Sequence, residues 1–148
     1  MSKKRIEHYI PRAYEVIKSQ HTDIATEYKG DYEVLEGLKG QIASFGSAVN
    51  MGNLKSAVAF FSDKGGAQTD RQNLMKAIYL IINEDKNINN KDTICTNRSL
   101  FEQIQNIEDY EISSYKGKIL DAAVAVKLAI RMCKLVDKKT VTKEANKK

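Results

Sequence analysis

The sequence predicts an all-α protein, a single compact bundle of about six helices with a flexible basic C-terminal tail. Three observations carry that expectation. Apolar residues recur at intervals of three and four along most of the 148 residues, a single proline interrupts them, and no run alternates β-branched with polar residues. The first helix takes Ile6, Ile10, Ala13, Ile17 and Ile24 as its apolar stripe. That stripe continues past Pro11, which predicts a kink where the ring meets the Glu7 carbonyl rather than a helix start. Leu35, Leu38, Ile42, Phe45 and Val49 form one seam and predict the second helix. Asn50, Gly52 and Asn53 interrupt the seam, with turn chemistry that reaches positive φ, and Leu54, Ala57, Val58 and Phe61 restart it. The two helices therefore meet at a tight corner, and Ala57 and Ala59 leave room for another helix before Gly65-Gly66 stops the third.

Thr69 or Asp70 is placed to cap a fourth helix whose buried face is Leu74, Ala77, Ile78, Ile81 and Ile82. Glu84 to Thr96 is rich in Asn, Asp and Lys and reads as a mobile loop. Ser99 and Glu102 have capping-box spacing ahead of Leu100, Phe101, Ile104 and Ile107, which predicts the fifth helix. Ser113 or Ser114 would cap the last, with Ile119, Ala123, Val126, Ile130 and Cys133 on its apolar face. Residues 1–137 thus form one helical domain, and 138–148, almost without apolar residues, form a basic, disordered tail.

Composition narrows the class. At 42% hydrophobic and 29% charged, the chain has the make-up of an ordinary soluble domain. Its longest apolar run, Ala77 to Ile82, is far short of the roughly 20 residues a membrane span needs. Met1-Ser2-Lys3-Lys4-Arg5 leads into Glu7 and His8 without the apolar core of a secretory signal, so a cytoplasmic location is expected. Cys95 and Cys133 stand alone, with no ligand-spaced partner, and Cys133 fits a core position. The net charge of +5 is unevenly spread: eight basic and two acidic residues from Lys127 onward, five and two in the first eighteen, and a mildly acidic middle.

Lys127, Arg131, Lys134 and Lys138 fall at offsets of zero, four, seven and eleven, within about 60° on one face of a continuing helix. Such a ridge can track a phosphate backbone with salt-sensitive affinity, whereas a solvated helix end complementing the dipole would need no ligand. Lys55 and Lys64 flank the small-residue helix, Lys64 serving either as an RNA contact or as a cap on helix carbonyls near Gly65. Arg12, with Lys3, Lys4 and Arg5, makes a weaker N-terminal cluster. The seven tyrosines do not gather around the ridge, so core or rim packing is their expected fate. His8 and His21, set about 20 Å apart along one helix, cannot share a metal or a proton. Gly65-Gly66 lacks the spacing of a phosphate loop, and no acid, base or nucleophile is placed beside a partner. No active site, metal or cofactor is expected.

The corner from Gly46 to Lys64 resembles the small subunit of the type III-B CRISPR effector, the Cmr ribonucleoprotein. Val49, Leu54, Ala59, Phe60 and Lys64 stand at the family's spacing. Gly46 occupies a position where the family often has Pro, and Gly52-Asn53-Leu54 replaces Asn-Gly-Leu. The likeness extends to Ala13-Tyr14-Glu15-Val16 and to Lys127-Leu128-Ala129-Ile130-Arg131, where a Trp common in the family is missing. The resemblance implies a non-catalytic subunit of antiviral defence whose copies stack on themselves along the filament, beside other subunits of the effector complex. It implies contact with guide RNA and target RNA through a basic face, with cleavage left to a neighbouring backbone subunit. Two other readings remain: the small subunit of a type III-A effector, which shares the architecture, and a helical DNA-binding or protein-interaction regulator. For the latter, Val49 to Leu54 would be the turn of a helix-turn-helix, but the helix after it is too apolar for a major groove.

Overall fold

The computed structural model describes residues 2–63 and 71–137. It is mostly helical but not all-α. Six helices, α1 (Lys3–Lys18), α2 (Glu36–Met51), α3 (Leu54–Ser62), α4 (Arg71–Ile82), α5 (Ser99–Gln105) and α6 (Ile112–Arg131), are joined by a small sheet of β1 (Ala25–Tyr28), β2 (Asp31–Leu35) and β3 (Lys134–Val136). The sheet corrects the sequence expectation, which extended the first helical stripe to Ile24 and assigned nothing between it and Leu35.

Helix α1 stops at Ser19 because Thr22 turns back on it: the Thr22 hydroxyl donates to the Val16 carbonyl at 2.8 Å. After that stop, β1 and β2 pair antiparallel across Lys29 and Gly30, whose φ angles of 50° and 87° are both left-handed. Two such residues are what a two-residue loop needs to match the twist of its strands, and Gly30 takes its share of that conformation without strain. Thr26, Tyr28, Tyr32 and Val34 are the strand-forming residues on either side. Strand β3 then adds parallel to β2, with Leu35 opposite Val136.

The corner between α2 and α3 is built as expected but by a different device. Neither Gly52 nor Asn53 takes a positive φ; they sit at −128° and −101°. The Gly52 N–H donates to the Ala48 carbonyl, and a Cβ there would stand 3.0 Å from that oxygen, a contact tight enough that the backbone would have to give by a few tenths of an ångström. Asn53 caps α3, its side-chain oxygen accepting from the backbone N–H of Lys55 and Ser56. Across the corner Phe45 and Phe61 meet edge to face, ring centres 5.2 Å apart.

Helix α1 runs through Pro11 without a break and packs on α6, its first turn beside Gly117 and Asp121. Asp121 fixes this pairing. Fully buried, it accepts from the Ser2 backbone N–H and from Arg5 at 3.1 Å. Ala122, Ala125 and Ala129 are also fully buried and give neighbouring helices a close approach.

Two expected caps differ. Ser99 is the first residue of α5, its hydroxyl accepting from the Thr96 N–H, and the N-cap is Arg98 without a side-chain bond. Helix α6 begins at Ile112, after a 3-10 turn at Asp109–Glu111 that itself carries a capping box between Glu108 and Glu111. Thr69, Asp70 and the Gly65-Gly66 stop lie outside the described residues, as does the tail from 138 to 148. The segment between α4 and α5 is tied to α1 and the turn that follows it at three points: Arg12 to the Lys86 carbonyl, Ser19 to that of Ile88, and His21 to that of Asn90.

Candidate nucleic-acid interface

Helix α6 buries Ile119, Ala122, Ala123, Val126, Ala129 and Ile130, so the opposite stripe faces outward. Lys127 is half-buried and Arg131 exposed on that stripe. The helix ends at Arg131, however, because Lys134–Val136 leaves it to pair with β2. The predicted four-residue ridge is therefore not one helix face. Lys134 is exposed on β3, and Lys138 lies outside the described residues.

A residue not foreseen replaces the lost members. Lys116 precedes Lys127 by eleven positions, which is about 20° around the helix, and Arg131 adds about 40° more. Lys116, Lys127 and Arg131 thus share a stripe, the first two about 16 Å apart along the axis, and Lys134 follows past the helix end. Offsets of eleven and four mark the same face as offsets of four and seven, so Lys116 was legible once the start of α6 was placed ahead of it. Between these cations the stripe carries half-buried Leu120 and Val124. Ser2 and Arg5 hold the start of α1 against Asp121 at the middle of α6, and Lys3 and Lys4 in that first turn of α1 are exposed.

The remaining candidates separate. Arg12 is engaged in the fold: its guanidinium donates to the carbonyls of Leu80, Asn83 and Lys86 at 2.8, 3.1 and 2.7 Å, closing the C-terminal end of α4. Burial pushes its pKa down, with Glu84 and Asp85 pulling the other way. We assign it to structure. Lys55 is half-buried in the first turn of α3, away from the α6 stripe in sequence and element, and Lys64 lies outside the described residues.

Among the tyrosines, Tyr9 is buried and Tyr14 and Tyr32 meet edge to face, with the Lys18 ammonium 4.1 Å from the first ring and 5.1 Å from the second. Only Tyr110 stands clear of the surface at 83% exposure. His21 lies beyond the end of α1, so the two histidines do not share a helix; His8 pairs with Glu84 at 2.7 Å. Among the described residues no three His, Cys, Asp or Glu side chains are grouped to hold a metal ion, and no helix is long and apolar enough to cross a membrane.

The cysteines are covered rather than reactive. Cys133 packs against the core, and its S–H donates to the Ala129 carbonyl. Burial pushes the Cys95 thiol up to about 11, against a smaller opposite effect of Lys76. At pH 8 only about one molecule in a thousand would then carry the thiolate at Cys95. Iodoacetamide at that pH is expected to label Cys95 slowly in the native protein and fully after unfolding, as read by mass spectrometry. Labelling at the rate of a free thiol would show that the segment over α4 does not cover it.

Comparison with protein-family models, with curated proteins and with solved structures finds no match.

Proposed function

We propose that this protein is a non-catalytic, RNA-contacting subunit similar to the small subunit of the type III-B CRISPR effector, stacking along a guide RNA filament in antiviral defence. The observation that supports this most is the outward stripe of α6, where Lys116, Lys127 and Arg131 align, with Lys134 exposed on β3 three residues after Arg131. Cations at this spacing suit a phosphate backbone, and half-buried aliphatic side chains between them offer no hydrogen-bond code for base identity. The corner motif adds a second support, since Gly52 and Asn53 each have a defined task that the exchanged order satisfies.

The regulator reading has less behind it. The outer face of α3 consists of Ser56, Ala59 and Phe60, and the helix carries a single cation, half-buried Lys55, too little charge to enter a groove. A titration of single-stranded RNA binding against salt tests the proposal. Affinity should fall linearly on a log–log plot with a slope of about −2 to −3, for three or four phosphate contacts. A flat response would remove the phosphate-tracking stripe as the basis of function.

A further inference from the structure

Helix α1 opens against its own dipole. Its first turn is Lys3-Lys4-Arg5 with no acidic residue, where a helix N-terminus ordinarily favours an anion. The missing carboxylate comes from α6. Asp121 is fully buried, and it meets two groups at the start of α1: Arg5 at 3.1 Å through one oxygen, and the Ser2 nitrogen at 3.2 and 3.3 Å through both. Gly117, one turn earlier on α6, leaves the room that the Arg5 guanidinium needs, since a Cβ there would stand 3.2 Å from it. The Ser2 hydroxyl is engaged separately as the N-cap, accepting from the Arg5 N–H at 3.2 Å, and the Ser2 carbonyl accepts from the Ile6 N–H at 2.9 Å. Every polar atom of Ser2 is thus tied to the fold.

The chemical state of that nitrogen decides how well Asp121 is satisfied. As a peptide N–H it carries a single proton, which two oxygens at almost equal distance must share. As a free α-ammonium it carries three protons and a unit charge, so each oxygen receives its own charge-assisted bond. The difference matters because a carboxylate shut off from water needs its charge matched and its lone pairs filled, and its other partner, Arg5, is 37% exposed and spends part of its charge on solvent. Cutting the chain ahead of Ser2 breaks none of the bonds that Ser2 makes. The residue ahead of it is Met1, and Ser has a side chain small enough for the aminopeptidases that remove methionine before small residues.

We infer that the bond between Met1 and Ser2 is cut and that the new α-ammonium of Ser2 forms a buried ion pair with Asp121, which locks the start of α1 onto α6. The cut is a hydrolysis by a methionine aminopeptidase: water adds its hydroxyl to the methionine carbonyl carbon, the C–N bond breaks, and a proton passes to the Ser2 amine, which takes another from solvent to become the ammonium. Ser2 is half-buried in the fold, so the cut falls on the nascent chain before α1 docks. Acetylation of the same amine would leave Asp121 with the shared proton alone.

Intact mass and N-terminal sequencing of the protein from its native host, with any tag kept at the C-terminus, test the cut. Ser2 with a free amine is expected as the first residue; a chain that begins elsewhere, or an acetylated Ser2, would overturn the inference. The ion pair is tested by melting two preparations of the full chain, both released from a ubiquitin-like fusion, one beginning at Ser2 and the other at Met1. At pH 7 the Ser2 chain should melt about 3–6 °C higher. Asp121 raises the pKa of the folded amine above its ordinary value of about 8, so the advantage is complete below that value and is lost as pH rises through the folded one. Both chains share the surrounding groups, Asp121 from α6, Lys3, Lys4, Arg5 and Tyr9 from α1 and Glu84 after α4, so the difference between them reports the amine. Equal melting at pH 7, or an advantage undiminished at about pH 10, would contradict the pair. Asp121→Asn should bring the two chains to the same melting temperature, and a gap that survives it would contradict the pair as well. Should that variant fail to fold, the pH series on the natural sequence still decides.

Discussion

Phe45→Ala is expected to destabilise the protein by about 4 kcal/mol, the largest effect of any single truncation considered. Phe45 is fully buried, and its ring meets Phe61 across the corner between α2 and α3. Removing it deletes apolar contact and leaves a cavity where two helices converge at one point, so little can collapse to fill it. For a domain of this size the loss corresponds to about 8–16 °C in Tm. Phe60→Ala is the internal comparison: that ring is 54% exposed, and its removal should cost well under half as much. Calorimetric unfolding of both variants decides the matter. Equal losses would mean that the corner does not divide inside from outside at these two residues.

Lys127→Glu combined with Arg131→Glu is expected to weaken binding to single-stranded RNA by about tenfold to a hundredfold at low salt, with the fold unchanged. Both residues lie on the outward stripe of α6, opposite the apolar face, so neither substitution touches the core. The salt dependence carries the diagnostic. Two lost phosphate contacts should reduce the log–log slope by about 1.4 for a single strand. Arg12→Ala should behave in the opposite way: the carbonyls of Leu80, Asn83 and Lys86, at the end of α4 and in the segment after it, lose their donor, so stability falls while the slope stays. Filter binding across a salt series, with thermal melts of the same variants, separates the two. A double variant with wild-type affinity and slope would exclude α6 as the contact surface.

The helical part of the fold was legible because its signal is periodic. Leu38, Ile42, Phe45 and Val49 are buried as the seam required, and so are Leu74, Ala77, Ile78 and Ile81. The sheet was not, for two separate reasons. Its hairpin turns on Lys29-Gly30 rather than on the Asn-Gly or Asp-Gly that marks such loops, and Ile24 falls on the helical stripe of α1 although it follows the stop made by Thr22. Strand β3 is only Lys134–Val136, and its pairing depends on β2, some hundred residues earlier in the chain; local pattern carries no trace of that. The candidate site inherited the second error. Extending the last helix past Arg131 placed Lys134 on a helical ridge, and attention to the C-terminal cluster passed over Lys116. Arg12 was misplaced because a sequence shows its charge but not the three carbonyls that occupy it.

The central claim is that the protein works as an RNA-bound subunit of a larger effector. Purifying the tagged full chain from its native host, sequencing any retained RNA and identifying the co-eluting proteins tests this most directly. The account predicts short guide RNA carrying repeat-derived sequence, together with several copies of a backbone subunit. A chain that elutes without RNA and without partner subunits would contradict it, and the cations on α6 would then be a solvated helix face.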